Sequence, residues 1–388
     1  MNKIRLMLTF LCLFATVFAA TAMAGTAESQ LGQLLYFDTY LSLQQNQSCA
    51  SCHHQKAAFA DPLNAQDPWN NVVSLGSDTT LNGGRNAPTA SYAAFIPTFG
   101  LIEDEGEKLY AGGQFWDGRA NTLKDQAKGP FLNPVEMAMK DEAAVIAAIA
   151  DPRNKNYKSY LKLFSSAYGI DLQTLNLADD VQVMNAYDKM AQAIAAFEQT
   201  NRFTEFTSKY DYYLAGKAKL NAQEQNGLAL FEGKALCSEC HPSAAEVVRG
   251  SIVPPLFTDF TYDNLGIPKS ENPMIAGLAI DYGLGERFIT EKGKFRVSTL
   301  RNIAFTPPYG HNGFFATLAD IVHFYNTAGD GSWPAPEVTD NVNRDELGNL
   351  GLTPQEEADL VAFLMTLSDG YKKERPTTFV LPPITPLQ

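Results

Sequence analysis

Cys49-Ala50-Ser51-Cys52-His53 and Cys237-Ser238-Glu239-Cys240-His241 are two copies of C-x-x-C-H, the pattern by which a chain takes up haem covalently. Two thiols one helical turn apart can add to the two vinyl groups of one porphyrin, and the histidine that follows then falls under the iron as proximal ligand. The spacing predicts two covalently bound c-type haems, one on Cys49, Cys52 and His53 and one on Cys237, Cys240 and His241. A thioredoxin-like pair would need neither histidine, and the chain offers no other cysteine or histidine cluster to complete zinc tetrahedra.

Outward from the motifs, Gly32-Gln33-Leu34-Leu35-Tyr36-Phe37 precedes the first and Gly227-Leu228-Ala229-Leu230-Phe231 the second. The likeness hints at duplication, and each half reads as a cytochrome c-like unit in which a helix runs into C-x-x-C-H. Asn221 with Glu224 forms a capping box for the helix that carries Leu228 and Phe231 inward. From Val181 to Phe203, apolar residues at Val181, Met184, Tyr187, Met190, Ala191, Ile194 and Phe197 predict a long amphipathic helix. A final helix is announced by Leu352 as staple, Thr353 as N-cap, Pro354 in the first turn and Glu356 three residues on, followed by Leu360, Val361, Leu364 and Leu367. Between these helices, Asp61 to Gly113, Pro242 to Pro273 and Thr327 to Gly351 are long and rich in Gly, Pro and Asn, as loops wrapped around a cofactor would be. Strand signals are weak. The fold class expected is mainly α, two cytochrome c-like domains with long irregular loops.

Lys3 and Arg5 ahead of the apolar run Leu6 to Ala20, then Ala22-Met23-Ala24, read as a secretory signal over residues 1–24. Cleavage there would remove Cys12 and leave four cysteines, all inside the haem motifs, so that no disulfide can form. Covalent haem on an exported chain points to the periplasm. No other segment approaches the roughly 20 apolar residues that a bilayer requires. The remaining length exceeds what one core usually holds, which predicts an N-terminal domain over 25–210 and a C-terminal domain over 211–388, the last residues packing back on the first domain. Losing Lys3 and Arg5 with no acid moves the formal charge from -13 to -15. Such a surface disfavours nucleic acid and anionic lipid; it suits either a basic patch on a protein partner or plain solubility.

Arg85-Asn86-Ala87-Pro88-Thr89, Gln114-Phe115-Trp116-Asp117-Gly118-Arg119-Ala120, Gln126, Gly129-Pro130 and Asn133-Pro134-Val135-Glu136-Met137 are followed by Arg296 to Asn302, Thr306-Pro307-Pro308-Tyr309, His311-Asn312-Gly313 and a helix to Tyr325-Asn326. In this order the chain resembles the bacterial dihaem cytochrome c peroxidase and MauG superfamily over nearly its whole length. The resemblance implies what caps each iron. Peroxidases of the family place a histidine in the loop before Arg85, where this chain reads Val73-Ser74-Leu75-Gly76-Ser77, with Ser77 at the matching place; no histidine occurs between His54 and His241. The first iron should then be open to hydrogen peroxide. At the second iron, the methionine of the peroxidases is matched by Tyr325, as in the MauG/MbnH-like branch; a core aromatic there, with a methionine elsewhere as ligand, is the alternative. A hard phenolate oxygen would favour high-valent iron.

The same resemblance implies Trp116 between the haems, sharing oxidising equivalents in a bis-Fe(IV) state, Glu136 moving the peroxide proton, Gln126 orienting peroxide and Pro130 shaping the pocket wall. It also implies a calcium ion held by the Asn86 side chain and the carbonyls of Thr306 and Pro308, oxygen donors that suit calcium. His54 should meet solvent or a propionate, His311 should support the haem surroundings, and His323, two positions from Tyr325, should lie on another helix face. The expected enzyme uses hydrogen peroxide to oxidise tryptophan in a periplasmic partner protein, forming kynurenine in a copper-related partner or maturing a quinone cofactor. MauG-type members carry a surface tryptophan just before the second motif, whereas this chain reads Glu232-Gly233-Lys234-Ala235-Leu236, which leans toward the kynurenine-forming branch. The alternative is a peroxidase that draws electrons from a small cytochrome or cupredoxin; a dihaem electron carrier would need a sixth ligand on both irons.

Overall fold

The computed structural model describes residues 25–104, 106–248 and 251–376, so the expected signal segment and the last twelve residues lie outside it. Among the described residues, seven α-helices build the first half: α1 Ala27–Tyr36, α2 Cys49–Cys52, α3 Pro62–Gln66, α4 Leu123–Leu132, α5 Glu142–Ile149, α6 Tyr157–Tyr168 and α7 Asp180–Glu198. Five follow in the second: α8 Lys209–Leu214, α9 Ala222–Phe231, α10 Cys237–Cys240, α11 Leu318–Thr327 and α12 Pro354–Met365. Both expected capping boxes form: Asn221 Oδ1 accepts from the Glu224 amide at 2.9 Å, and the Thr353 amide donates to Glu356 at 2.7 Å.

The fold is mainly helical, as the sequence predicts, but the long loops are not structureless. Gly100–Asp104 (β1) pairs antiparallel with Glu107–Ala111 (β2), Leu101 opposite Tyr110, and Gly106 supplies the positive φ their turn needs. Glu246–Val248 (β3) and Ser251–Val253 (β4) form a second ribbon, and Tyr262–Asp263 (β5) with Phe295–Arg296 (β6) a third. The long helix α7 also differs from its reading. Val181 and Met184 are exposed, at 78% and 48%, because the first turn overhangs the core; the inward face runs through Tyr187, Met190, Ala191, Ile194 and Phe197.

Each half repeats one crossing. In the first, α1 packs along α7, and a Cβ on Gly32 would fall inside the van der Waals shell of the Ala193 carbonyl. In the second, α9 packs along α12, and Gly227 stands in the same way against the Asp359 carbonyl. Both glycines let backbones approach where any side chain would wedge them apart. An exposed helical glycine gains about 1 kcal/mol on replacement by alanine. Gly227→Ala should reverse that sign and lose ~1–3 kcal/mol, the usual cost of overpacking, seen as a lower denaturant midpoint of the haem-loaded protein.

Among the described residues the two largest buried apolar clusters run one from Leu31 to Phe203 and one from Tyr210 to Leu367. A polar knot ties them. Arg301, 1% exposed, pairs with Asp211 through two bonds of 2.9 and 3.0 Å, donates to the Pro255 carbonyl and lies over the rings of Tyr92 and Phe206. The Tyr92 hydroxyl, from the first half, donates to Asp369 near the chain's end at 2.7 Å. Among the described residues no helix is long and apolar enough to cross a membrane.

Candidate active site

The two C-x-x-C-H segments adopt the same local form. Each pair of cysteines opens and closes a four-residue helix, and the histidine after it caps the helix, its amide bonding the first cysteine's carbonyl at 2.8 Å for His53 and 2.9 Å for His241. Each ring is then fixed by a backbone carbonyl. His53 Nδ1 lies 3.1 Å from the Phe59 oxygen and His241 Nδ1 2.8 Å from the Phe257 oxygen. A carbonyl only accepts, so Nδ1 carries the proton and Nε2 keeps its lone pair for a metal. Burial pushes both imidazoles down in pKa, His241 to about 4, which keeps them in the neutral, ligating form.

Both motifs open on cavities with largely apolar walls, of ≈ 560 Å³ beside Cys49, Cys52 and His53 and ≈ 240 Å³ beside Cys237, Cys240 and His241. Paired free thiols, a neutral imidazole with one nitrogen free and an apolar chamber are what a covalently attached haem requires. The residues present fit that group at both places.

The first cavity gathers the residues expected to act on peroxide: Gln126 and Pro130 from α4, then Glu136 and Trp116 from the flanking loops. Pro130 sits inside α4 and has no N–H to give to the Gln126 carbonyl. Glu136 is held by the Asn133 amide, 2.7 Å from Oε1. Burial raises its pKa above the ordinary carboxyl value, while Arg119 and the Asn133 bond pull it back. Arg119 is itself anchored, stacked 3.6 Å over Phe115 and paired with Asp117 at 3.0 Å. Ser77 does not border this cavity. It is wholly buried, its hydroxyl donating to Asn46 at 2.9 Å and accepting from the Gln44 amide at 3.0 Å; Ser74 and Leu75 are the residues of that loop that border the chamber.

Trp116 borders both cavities. Its Nε1 donates to the Asn86 carbonyl at 2.8 Å, and its own carbonyl accepts from the Arg296 amide at 2.8 Å, so the indole is pinned from both halves. Asn86, Thr306 and Pro308 come together around the second cavity, the Asn86 amide nitrogen giving its hydrogen bond to the Val72 carbonyl at 3.2 Å and leaving Oδ1 as a donor atom for a cation.

Tyr325 projects from α11 into the second cavity, and among the described residues nothing hydrogen-bonds its hydroxyl. Burial, then the nearby Cys240 and Cys237 sulfurs, push its pKa well above the ordinary phenol value, so only a bound cation would make it a phenolate. His323 lies on another face, as its register predicts, 3.0 Å from the Glu357 carboxylate and exposed. His311 borders both cavities, stacked 3.7 Å on Phe295 with Nε2 3.4 Å from Glu337. His54 caps a short turn by accepting from the Lys56 amide at 3.1 Å.

One cavity residue escaped the sequence reading. Glu198 ends α7 and borders the first chamber beside Ile194, one turn earlier. Its signal was there: positions 187, 191, 194 and 198 share one helix face, so a carboxyl continues an otherwise apolar stripe.

Residues 26–219 match the di-haem cytochrome c peroxidase family. Over 376 residues the chain is 37% identical to the methylamine utilization protein MauG of Paracoccus denitrificans, covering 89% of this chain and 92% of the relative. Among solved structures, the diheme peroxidase BthA of Burkholderia thailandensis superposes with a TM-score of 0.73 at 29% identity, covering 88% of this chain and 86% of its own. A MauG-like protein associated with microbial copper homeostasis superposes with a TM-score of 0.64, also at 29% identity, covering 89% of this chain and 90% of its own.

Proposed function

We propose, from the premise that this chain belongs to the di-haem cytochrome c peroxidase family and is a haem peroxidase-type oxidoreductase acting on hydrogen peroxide, that it spends the oxidising power of peroxide on tryptophan in a partner protein. The single observation that carries this reading is Trp116 bordering both cavities while Tyr325 faces the second. Haem bound at Cys49, Cys52 and His53 and at Cys237, Cys240 and His241 would supply the redox-active irons, one in each of two cytochrome c-like domains, 25–210 and 211–388.

With haem held at Cys49, Cys52 and His53, Glu136 would take a proton from one oxygen of peroxide and return it to the departing one. Gln126 orients the peroxide by hydrogen bonding, and Pro130 keeps the α4 wall free of a competing N–H. Trp116 gives an aromatic path between the chambers, and Tyr325 would offer a hard oxygen ligand to an iron held at His241. The Asn86 side chain with the Thr306 and Pro308 carbonyls would hold calcium where the halves meet. Electrons would come from the partner's tryptophan by hopping, with kynurenine as the product and a periplasmic, copper-related protein as the partner. The likeness to the copper-associated structure supports this branch, and the 37% identity to MauG keeps quinone maturation in view.

Tyr325→Met is the discriminating variant. Wild type should develop near-infrared absorption on addition of peroxide, and the variant should lose it entirely while its second haem becomes easier to reduce, because a thioether stabilises oxidised iron less than a phenolate does. Unchanged near-infrared behaviour would remove Tyr325 from the second iron. The second reading, a peroxidase fed by a small cytochrome or cupredoxin, is supported by the 30% identity over 344 residues to the cytochrome c551 peroxidase of Nitrosomonas europaea, although it would want a methionine at Tyr325 and a histidine near Ser77. Rapid peroxide turnover with a reduced carrier, and no oxidised tryptophan in any partner by mass spectrometry, would select it.

A further inference from the structure

Glu198 is a carboxyl without a counterpart. It is 6% exposed, and its Oε2 is buried with no hydrogen-bond partner among the described residues. Other buried carboxylates are answered: Asp211 by Arg301, Asp117 by Arg85 and Arg119, and Asp61 by the Leu63 amide at 2.7 Å. Burial alone pushes Glu198 up to about 8. The titratable group that faces it is the Tyr36 phenol from α1, itself raised and neutral; the Cys49 sulfur from α2 is a neutral thioether once haem is attached, and Glu136 shares its cavity. The groups acting on His53 are Phe59, Asp61 and Pro88, not Glu198.

A neutral acid buried beside a largely apolar chamber responds strongly to any new charge there, since the surroundings screen little. We infer that Glu198 couples the charge of the first haem to a proton, remaining a neutral acid while the iron is reduced and releasing its proton when the iron is oxidised. The inference rests on the haem proposed for this cavity. Its balance is one for one: reduced haem with the Glu198 acid becomes oxidised haem with the Glu198 carboxylate, plus one proton and one electron. The electron passes on toward the second haem. For the proton, Gln114 offers an exit, being buried and bordering both the haem chamber and a separate polar chamber of ≈ 290 Å³ that Glu28, Gln192, Gln199 and Lys124 help to line. The resulting carboxylate would offset the positive charge that an oxidising enzyme has to hold in this chamber.

The test is a potentiometric titration of both haems in the loaded enzyme at a series of pH values. On the acid side of about pH 8, the wild-type first-haem potential should fall by up to about 59 mV per pH unit, the value for one proton per electron. Glu198→Gln should flatten that slope for the first haem alone, and Glu198→Asp should restore it. A flat wild-type profile, or a slope that survives Glu198→Gln, overturns the inference. A second measurement checks the premise of an unanswered acid. It is made on the reduced enzyme, in which the folded pKa of Glu198 lies above its unfolded value, so that wild-type stability falls as pH climbs from the ordinary carboxyl range toward about 8. The melting temperature of Glu198→Gln should therefore exceed that of wild type by a margin that grows over the same window, and equal melting throughout would contradict it. Neither measurement uses peroxide, so a failure here is separable from a failure of Glu136 in the peroxide reaction.

Discussion

Glu136→Gln is expected to slow the reaction of the resting enzyme with hydrogen peroxide by ~10²–10⁴-fold, the range typical of losing a general acid–base group, while both haems stay attached. The variant preserves size and the bond from Asn133, which is 2.7 Å from Oε1, so what disappears is the capacity to carry a proton between two oxygens. Arg119 and Asn133 stabilise the Glu136 anion against the burial that raises its pKa, and this poises it as a base. Because it must be ionised to accept the first proton, the wild-type rate should rise with pH through that raised pKa, and the variant should lose the rise. Stopped-flow mixing with peroxide reads both effects; a variant that reacts as fast as wild type would reject the assignment.

Asp211→Ala should destabilise the protein by ~3–5 kcal/mol, the cost of stranding one partner of a buried ion pair. Arg301 is 1% exposed and would keep its charge with the Pro255 carbonyl, three aromatic faces and the more distant Asp369 carboxylate, but no bonded counterion. Denaturant titration of the loaded enzyme measures the loss. A paired replacement, Arg301→Met with Asp211→Leu, should recover much of it, since removing both charges also removes the desolvation they suffer. Failure of the pair to recover would locate the stabilisation in the other contacts of the two side chains, the stacking of Arg301 on Tyr92 and Phe206 and the cap that Asp211 gives to Ser208.

What the sequence disclosed follows from how local each signal is. C-x-x-C-H, the capping boxes at Asn221 and Thr353 and the repeated Gly32 and Gly227 are spelled out in adjacent residues, and the structure returns them with little change. Gln126, Pro130, Glu136 and Trp116 are far less legible by periodicity, yet they converge on one chamber; their motifs, not their patterning, pointed there. The outward turn of Val181 and Met184 was hidden because a helix's period does not say where the core ends. Ser77 held the matching place in a loop, but the pull of Asn46 and Gln44 turned it away. Arg301 with Asp211 joins residues ninety positions apart, and Glu198 was lost among apolar neighbours because its meaning depends on what stands opposite.

The imidazoles of both motif histidines are oriented by main-chain oxygens, of Phe59 and of Phe257. No replacement of a side chain deletes such an acceptor, which would insulate the inner ligand proposed for each iron from point mutation. Lineages descending from this scaffold are thereby free to diversify at Tyr325, Glu136 and the opposite walls, changing oxidative strength without dismantling the anchor. An evolutionary campaign aimed at new oxidations should concentrate its libraries on that outer hemisphere, where variation is cheap to tolerate.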